Sequence, residues 1–325
     1  MNKNKLLEVL SIQSESYNQW RMFAYIIRQL KVAGCRYYTY NGCIYATKGD
    51  ADIYPCIVSH MDTVHDIAED LTPIEINGNI TGFNAVTMEQ TGIGGDDKVG
   101  IFIALQCVQF FDAIKVVFFR DEEVGCEGSY DADIDFFNDC GFVLQCDRRG
   151  NGDFINIAGG TQLSSKEFQD DVKPILKGYG YKFNTGMMTD VMALKETGIL
   201  CSMANISCGY YNPHTAQEYV NIADVENCLE VVKMIILELS GNDYPCTYEP
   251  PVRQKYEGKK IDWYGMSNKY LGSMDDDFWT ATDAQKKKEK LHCECCDEPG
   301  DLQYIPEYNI EMCIKCINQY IVIDK

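Results

Sequence analysis

The sequence predicts an α/β domain built on a mixed central sheet with helices on both faces, followed by a small cysteine-rich module. Three observations predict it. Short apolar runs that read as buried strands alternate with amphipathic helical stretches through residues 1–241. Acidic and histidine clusters recur where those strands should end, which is where α/β sheets gather functional groups. Beyond 241 the period breaks at Pro245, Pro250 and Pro251, and paired cysteines follow. The expected division is a domain over 1–241, a linker over 242–288 and a module over 289–325.

Each element has a local reason. Residues 6–32 place apolar side chains at every third or fourth position, and Gly34 ends that helix. Residues 35–48 alternate around Asn41-Gly42, a hairpin signal repeated by Asn77-Gly78 within 74–83. The apolar runs 55–59, 115–119, 141–145 and 200–206 read as strands. Residues 98–111, 164–178 and 222–239 read as helices, and Thr189-Asp190 opens a short helix ending at Gly198.

Composition narrows the function classes. The chain has 325 residues, 46% hydrophobic, enough for a sizeable core. Forty-nine acidic against 29 basic residues give a net charge of −20, which disfavours nucleic acid and anionic membranes. Residues 1–10 lack the basic-then-apolar pattern of a signal segment. The most apolar stretch, 99–119, is broken by Gln106, Gln109, Asp112 and Lys115, so no membrane span is expected. Cysteines standing singly in apolar strands, such as Cys56, Cys107, Cys146 and Cys201, suit a reducing compartment. A soluble cytoplasmic protein is expected.

Five clusters carry the chemistry: His60-Met61-Asp62, Gly95-Asp96-Asp97-Lys98, Asp121-Glu122-Glu123-Val124-Gly125, Cys146-Asp147 and Pro213-His214. Imidazoles and carboxylates are the ligand types of a two-metal hydrolytic site. One carboxylate must bridge the two cations, and Asp96 sits in a glycine-rich turn suited to unusual backbone geometry. Of Glu122 and Glu123, one can ligate while the other accepts a proton from the attacking water. Asp62, two residues from His60, is placed to orient its imidazole. His65, without a partner cluster, reads as structural or surface.

The ordered series resembles the co-catalytic zinc exopeptidases, specifically the tripeptide aminopeptidase (peptidase T-like) branch of the aminoacylase and glutamate-carboxypeptidase group. The resemblance runs from about His60 to Val220. It implies a three-layer zinc-exopeptidase-like domain with His60, Asp96 and Asp147 on one metal and Asp96, Glu123 and His214 on the other. It also implies Glu122 as the general base, and Thr189-Asp190 resembles a further segment that supports the site. In that branch a lid or dimerisation domain lies between the fourth and fifth motifs. Here His214 follows Asp147 by only 67 residues, so the lid is expected to be missing and the protein to be a monomer. With the lid would go a histidine that helps stabilise the oxyanion. Tyr210, Tyr211 and Asn212 are candidate substrate contacts in its place, the alternative being aromatic packing beside the ligand loop.

At the C-terminus, Cys293 with Cys296 and Cys313 with Cys316 form two Cys-x-x-Cys pairs around a 16-residue stretch. That is the spacing of a four-thiolate structural zinc site, with Cys295 and His292 as alternative ligands. Metal would stabilise a segment too short for its own core, and the module is a candidate contact for a protein partner.

The expectation is a hydrolase with two catalytic Zn2+ and one structural Zn2+, cleaving an amide bond of a short peptide. A deacylase acting on acyl-amino acids is the alternative on the same scaffold. A non-catalytic zinc protein that binds a partner is the alternative from another class.

Overall fold

The computed structural model describes residues 1–68, 70–248, 302–305 and 310–313. In chain order the elements are α1 (Lys3–Leu10), α2 (Trp20–Val32), β1 (Arg36–Tyr40), β2 (Cys43–Lys48), β3 (Tyr54–His60), β4 (Leu71–Ile76), β5 (Asn79–Asn84) and β6 (Glu89–Thr91). There follow α3 (Gly95–Phe110), β7 (Ile114–Phe119), α4 (Glu127–Tyr130), β8 (Cys140–Arg148), β9 (Asp153–Ala158), β10 (Thr161–Gln162), α5 (Lys166–Gly178) and β11 (Lys182–Gly186). The domain closes with α6 (Asp190–Glu196), β12 (Ser202–Ser207), β13 (Tyr210–Tyr211), β14 (Tyr219–Asn221) and α7 (Ile222–Leu239). Strands β15 (Leu302–Ile305) and β16 (Ile310–Cys313) pair as an antiparallel hairpin.

The main sheet runs β1-β2-β7-β3-β8-β12-β9-β10, with β11 also on β9. Its middle strands β7, β3, β8 and β12 are parallel, flanked by antiparallel neighbours, so the sheet is mixed as expected. Alternate side chains of a strand face opposite sides. Ile57, Val116, Phe118, Leu144 and Ala204 join the core under α1, α2, α3, α5 and α7. Cys56, Val58, Val117, Val143 and Met203 join a second core with Val191 and Leu194 of α6. Helices therefore cover both faces, and the domain is a three-layer sandwich.

The register positions the site. Val58 lies opposite Gln145, and His60 opposite Phe119, so β3, β7 and β8 end at one level. His60, the loop after Phe119, and Asp147 emerge together at the carboxyl edge. A smaller sheet, β13-β14-β5-β4 with β6 on β5, brings the 212–218 loop beside the same edge.

The structure corrects the single helix expected over 6–32. Residues 11–19 break it into α1 and α2, held by long-range bonds that override local propensity. Thr63 donates its N–H to the Ser14 carbonyl, and Tyr17 donates its N–H to Asp121 Oδ1 at 2.7 Å. The chain also stays packed past 241. Ser202 donates to the Tyr244 carbonyl and Tyr244 to that of Gly141, so the first residues of the expected linker belong to the domain. Cys293, Cys295, Cys296, Cys316 and His292 lie outside the described residues. No helix among the described residues is long and apolar enough to cross a membrane.

Candidate metal centre

The site begins with the turn before α3. Gly94 takes a left-handed φ of 67°, and a β carbon at Gly95 would fall 2.8 Å from Tyr210 and from Val220. Only glycines allow that approach. The turn delivers Asp96 to the carboxyl edge of the sheet, where its two oxygens face two histidines. Oδ1 lies 3.3 Å from His60 Nε2, and Oδ2 lies 3.4 Å from His214 Nε2. Asp147 Oδ1 completes the first group at 3.7 Å from His60 Nε2, and Glu123 Oε2 the second at 3.2 Å from His214 Nε2. His60, Asp96 and Asp147 thus form one cluster of metal-ligating atoms, and Asp96, Glu123 and His214 another, sharing Asp96.

The donors are prepared for cations. His60 Nδ1 lies 3.0 Å from the Asp62 carbonyl, which only accepts, so Nδ1 carries a hydrogen and Nε2 is the nitrogen turned to the cluster. His60 Nε2 and Glu123 Oε1 are buried without a hydrogen-bond partner. Asp96, Glu122, Glu123 and Asp147 converge with no lysine or arginine ion pair among the described residues. Such a set of buried, orphaned and like-charged groups is costly unless a cation compensates it. The residues fit a pair of divalent cations.

The close approach of these groups shifts their affinities for protons. The Asp96 hydrogen bond, opposed by burial, raises His214 to about 9. Burial, reinforced by the Asp96 charge, raises Glu123 to about 8. Burial would lower His60, but Asp147, Asp62 and Asp96 outweigh it and raise His60 well above its usual range. Burial also opposes ionisation of Asp96, yet the two histidines hold it below the usual carboxylate range. Cations entering the site must displace these protons.

Residues around the clusters hold them in place. Asp62 is fully buried. Its Oδ1 accepts the Glu122 N–H at 2.9 Å and faces His60 Nδ1 at 3.4 Å, while Oδ2 accepts the Glu123 N–H at 3.2 Å and the Ser16 hydroxyl at 2.8 Å. It therefore fixes the Glu122-Glu123 loop, and it also lies beside the imidazole. Asp97 turns away from the cluster and accepts from the Ser59 hydroxyl and the N–H groups of His60 and Gly100. Gln145 donates to Asp147 Oδ2 at 3.1 Å and to Asp190 at 3.0 Å. Asn205 accepts the Asp147 N–H and donates to its carbonyl. Thr189 begins α6 but makes no cap bond; its hydroxyl donates to Gln145 Oε1 at 2.7 Å. The Glu122 carboxylate accepts a 3.5 Å contact from the Cys126 thiol and lies 3.9 Å from His60 Nε2.

Two substrate expectations change. Tyr210 is buried, and its hydroxyl donates to Asp147 Oδ1 at 3.2 Å, so it braces a cluster residue instead of facing open space. Tyr211 stacks on Tyr219 with ring centres 5.0 Å apart and donates to Asp224, the aromatic-packing alternative. Asn212 is exposed in the loop before His214. The residues missed from sequence are Ser16, Gln145, Asn205 and Glu218, together with His65. His65 Nε2 lies 2.7 Å from the buried Glu218 carboxylate. Glu218, four residues past His214, was the one signal that could have found this pair.

With this geometry in hand, the fold can be compared. Aminopeptidase PepT from Bacillus cereus superposes with a TM-score of 0.63 at 13% identity, over 73% of this chain and 98% of that one. The chain shares the fold of that structure. An aminopeptidase from the archaeon Desulfurococcus kamchatkensis gives 0.58 at 13% identity, over 73% and 95%. A Staphylococcus aureus tripeptidase gives 0.56 at 15% identity, over 72% and 97%. Neither a family model nor a curated protein sequence matches the chain.

Proposed function

We propose that the chain is a metal-dependent hydrolase that cleaves an amide bond, specifically the peptide bond of a short peptide. The observation that carries this is one carboxylate, Asp96, facing His60 through one oxygen and His214 through the other, shared by the His60-Asp147 and Glu123-His214 groups, with Glu122 left beside them. Imidazole and carboxylate donors suit zinc. In this reading His60, Asp96 and Asp147 hold one Zn2+, and Asp96, Glu123 and His214 hold the other. Bound there, the pair would supply Lewis acidity to water and to the scissile carbonyl. Glu122 takes the proton of the attacking water and hands it to the leaving amine. Asp62 keeps Glu122 and Glu123 at their posts through their backbone N–H groups. The fold shared with aminopeptidases and a tripeptidase supports a peptide as substrate.

Residues 149–213 lie in β9 to β13 with α5 and α6. That supports the absence of a lid inserted there, and with it a monomer. A similar fold, the Pyrococcus horikoshii TET1 peptidase, assembles into a tetrahedron or octahedral shell, so sedimentation velocity is the check.

The test is hydrolysis of di- and tripeptides by wild type and Glu122→Gln, with and without chelator. Wild-type turnover should vanish on chelation and return with zinc. Glu122→Gln should retain metal and lose roughly 10²–10⁴-fold in kcat. Full activity in that variant would sink the base assignment. No turnover of any peptide or acyl-amino acid by the metal-loaded wild type would sink the hydrolase reading.

A further inference from the structure

Glu218 is a wholly buried carboxylate outside both clusters. Its Oε2 accepts the Gly94 N–H at 2.7 Å and faces His65 Nε2 at 2.7 Å, while its Oε1 accepts the Asp96 N–H at 3.1 Å. Both backbone bonds therefore go to the turn that delivers Asp96. The surroundings are shaped to the pair. A β carbon at Gly92 would lie 2.0 Å from the His65 ring, so this position must be glycine for the imidazole to reach Glu218. Glu218 also stands in the loop that carries His214, and His65 in the loop that follows His60. The pair thus ties three of the loops around the site to one another.

We propose that Glu218, supported by His65, is the positioning residue of the metal bridge, holding the Asp96 backbone so that one carboxylate oxygen faces each half of the site. This rests on the metal reading above. A buried carboxylate accepting two N–H groups from one turn fixes that turn's position and rotation. Those two degrees of freedom decide whether Asp96 Oδ1 and Oδ2 point to His60 and His214 at once. Without the pair, the turn can still close, but Asp96 is free to serve one half alone. His65 holds Glu218 through Oε2, the oxygen that also takes the Gly94 N–H, and supplies a further donor to a carboxylate that is otherwise out of water.

Glu218→Gln tests this sharply, because both Glu218 oxygens accept from backbone N–H groups and an amide nitrogen can accept from neither. His65→Leu is the milder variant, leaving both backbone bonds. The probe is Mn2+, which thiolates hold poorly and carboxylates hold well. Full-length apo-protein is titrated with it by calorimetry and followed by electron paramagnetic resonance, while thermal melting by circular dichroism reports folding. Wild type should bind two Mn2+ and give the exchange-coupled spectrum of ions sharing a carboxylate. Folded Glu218→Gln should bind the second ion about 10–100-fold more weakly and lose that coupling, as loss of outer contacts does at other metal sites. His65→Leu should shift the same way by less. A folded Glu218→Gln that takes both ions at wild-type affinity with intact coupling would overturn the inference. If that variant does not fold, unchanged second-ion affinity and coupling in His65→Leu overturns it instead. Wild type binding fewer than two Mn2+ would overturn the metal reading itself, an outcome visible before any variant is made.

Discussion

Asp62→Asn exchanges one oxygen for an NH2 group at a fully buried position, and the geometry forbids a painless placement. Asp62 Oδ1 accepts from Glu122 N–H at 2.9 Å and Oδ2 from Glu123 N–H at 3.2 Å. Whichever way the amide is turned, its nitrogen meets a backbone N–H that can only donate. At least one buried donor loses its acceptor, at about 1–3 kcal/mol. The remaining contacts lose the strength of a charged partner, including the Ser16 hydroxyl at 2.8 Å and the His60 imidazole at 3.4 Å. The sum is on the order of 3 kcal/mol, or a fall in Tm of roughly 6–12 °C at ~2–4 °C per kcal/mol. Because the orphaned amides belong to Glu122 and Glu123, metal affinity should weaken by about 10–100-fold as well. Ser16→Ala is the graded control. It removes one donor and leaves both backbone amides satisfied, so about 1 kcal/mol is expected. Urea unfolding gives the first quantity, and competition with a chromophoric chelator the second. Asp62→Asn within about 0.5 kcal/mol of wild type, with unchanged metal affinity, would refute the claim that Asp62 holds the Glu122-Glu123 loop.

Two further outcomes are expected. Burial raises the Cys43 thiol to about 12 and pushes Cys107, Cys201 and Cys208 upward too. Unfolded thiols ionise near 9 while the folded ones keep their protons, so the folded state binds more protons there. Stability should fall as pH rises above 9, by about 1.4 kcal/mol per unit for each such thiol, and equal urea midpoints at pH 8 and pH 10 would contradict the burial. At the C-terminus, metal analysis should find one zinc fewer in Cys316→Ser than in wild type, and an unchanged count would remove Cys316 from the proposed four-thiolate site with Cys293, Cys296 and Cys313.

Much of the fold was legible because its signals are local. Asn41-Gly42 and Asn77-Gly78 turn hairpins where expected, and the apolar runs at 55–59, 115–119 and 141–145 are the inner strands of the main sheet. The break between α1 and α2 was not legible. Nothing in residues 11–19 forbids helix outright; what opens the chain there is the reach of Ser14, Ser16 and Tyr17 to Thr63, Asp62 and Asp121, contacts 46 to 104 residues away. Tyr210 misled for a related reason. A tyrosine next to a ligand loop carries no mark of which way its hydroxyl points, and burial turned it to Asp147.

The site has a further regularity that no motif displays. Four buried carboxylates that face neither cluster directly, Asp62, Asp97, Asp121 and Glu218, each accept backbone N–H groups of another loop. Asp62, from the His60 motif, holds Glu122 and Glu123. Asp97, beside Asp96, holds His60. Glu218, beyond His214, holds Gly94 and Asp96. Asp121, beside Glu122, holds Tyr17 of the 11–19 segment, whose Ser16 closes back onto Asp62. His60, Asp96, Glu122 and His214 each have such an acid within four residues. One member of each pair faces the cluster, and its neighbour satisfies amides that loops at a buried strand edge would otherwise leave unpaired. This explains why a reading that seeks ligands finds only half of them: the member at the cluster is fixed by chemistry, whereas its neighbour is fixed by a loop distant in sequence. Because the clamps run from one motif to another, they form a connected network. Substitutions at Asp62, Asp97 and Glu218 should therefore couple instead of adding.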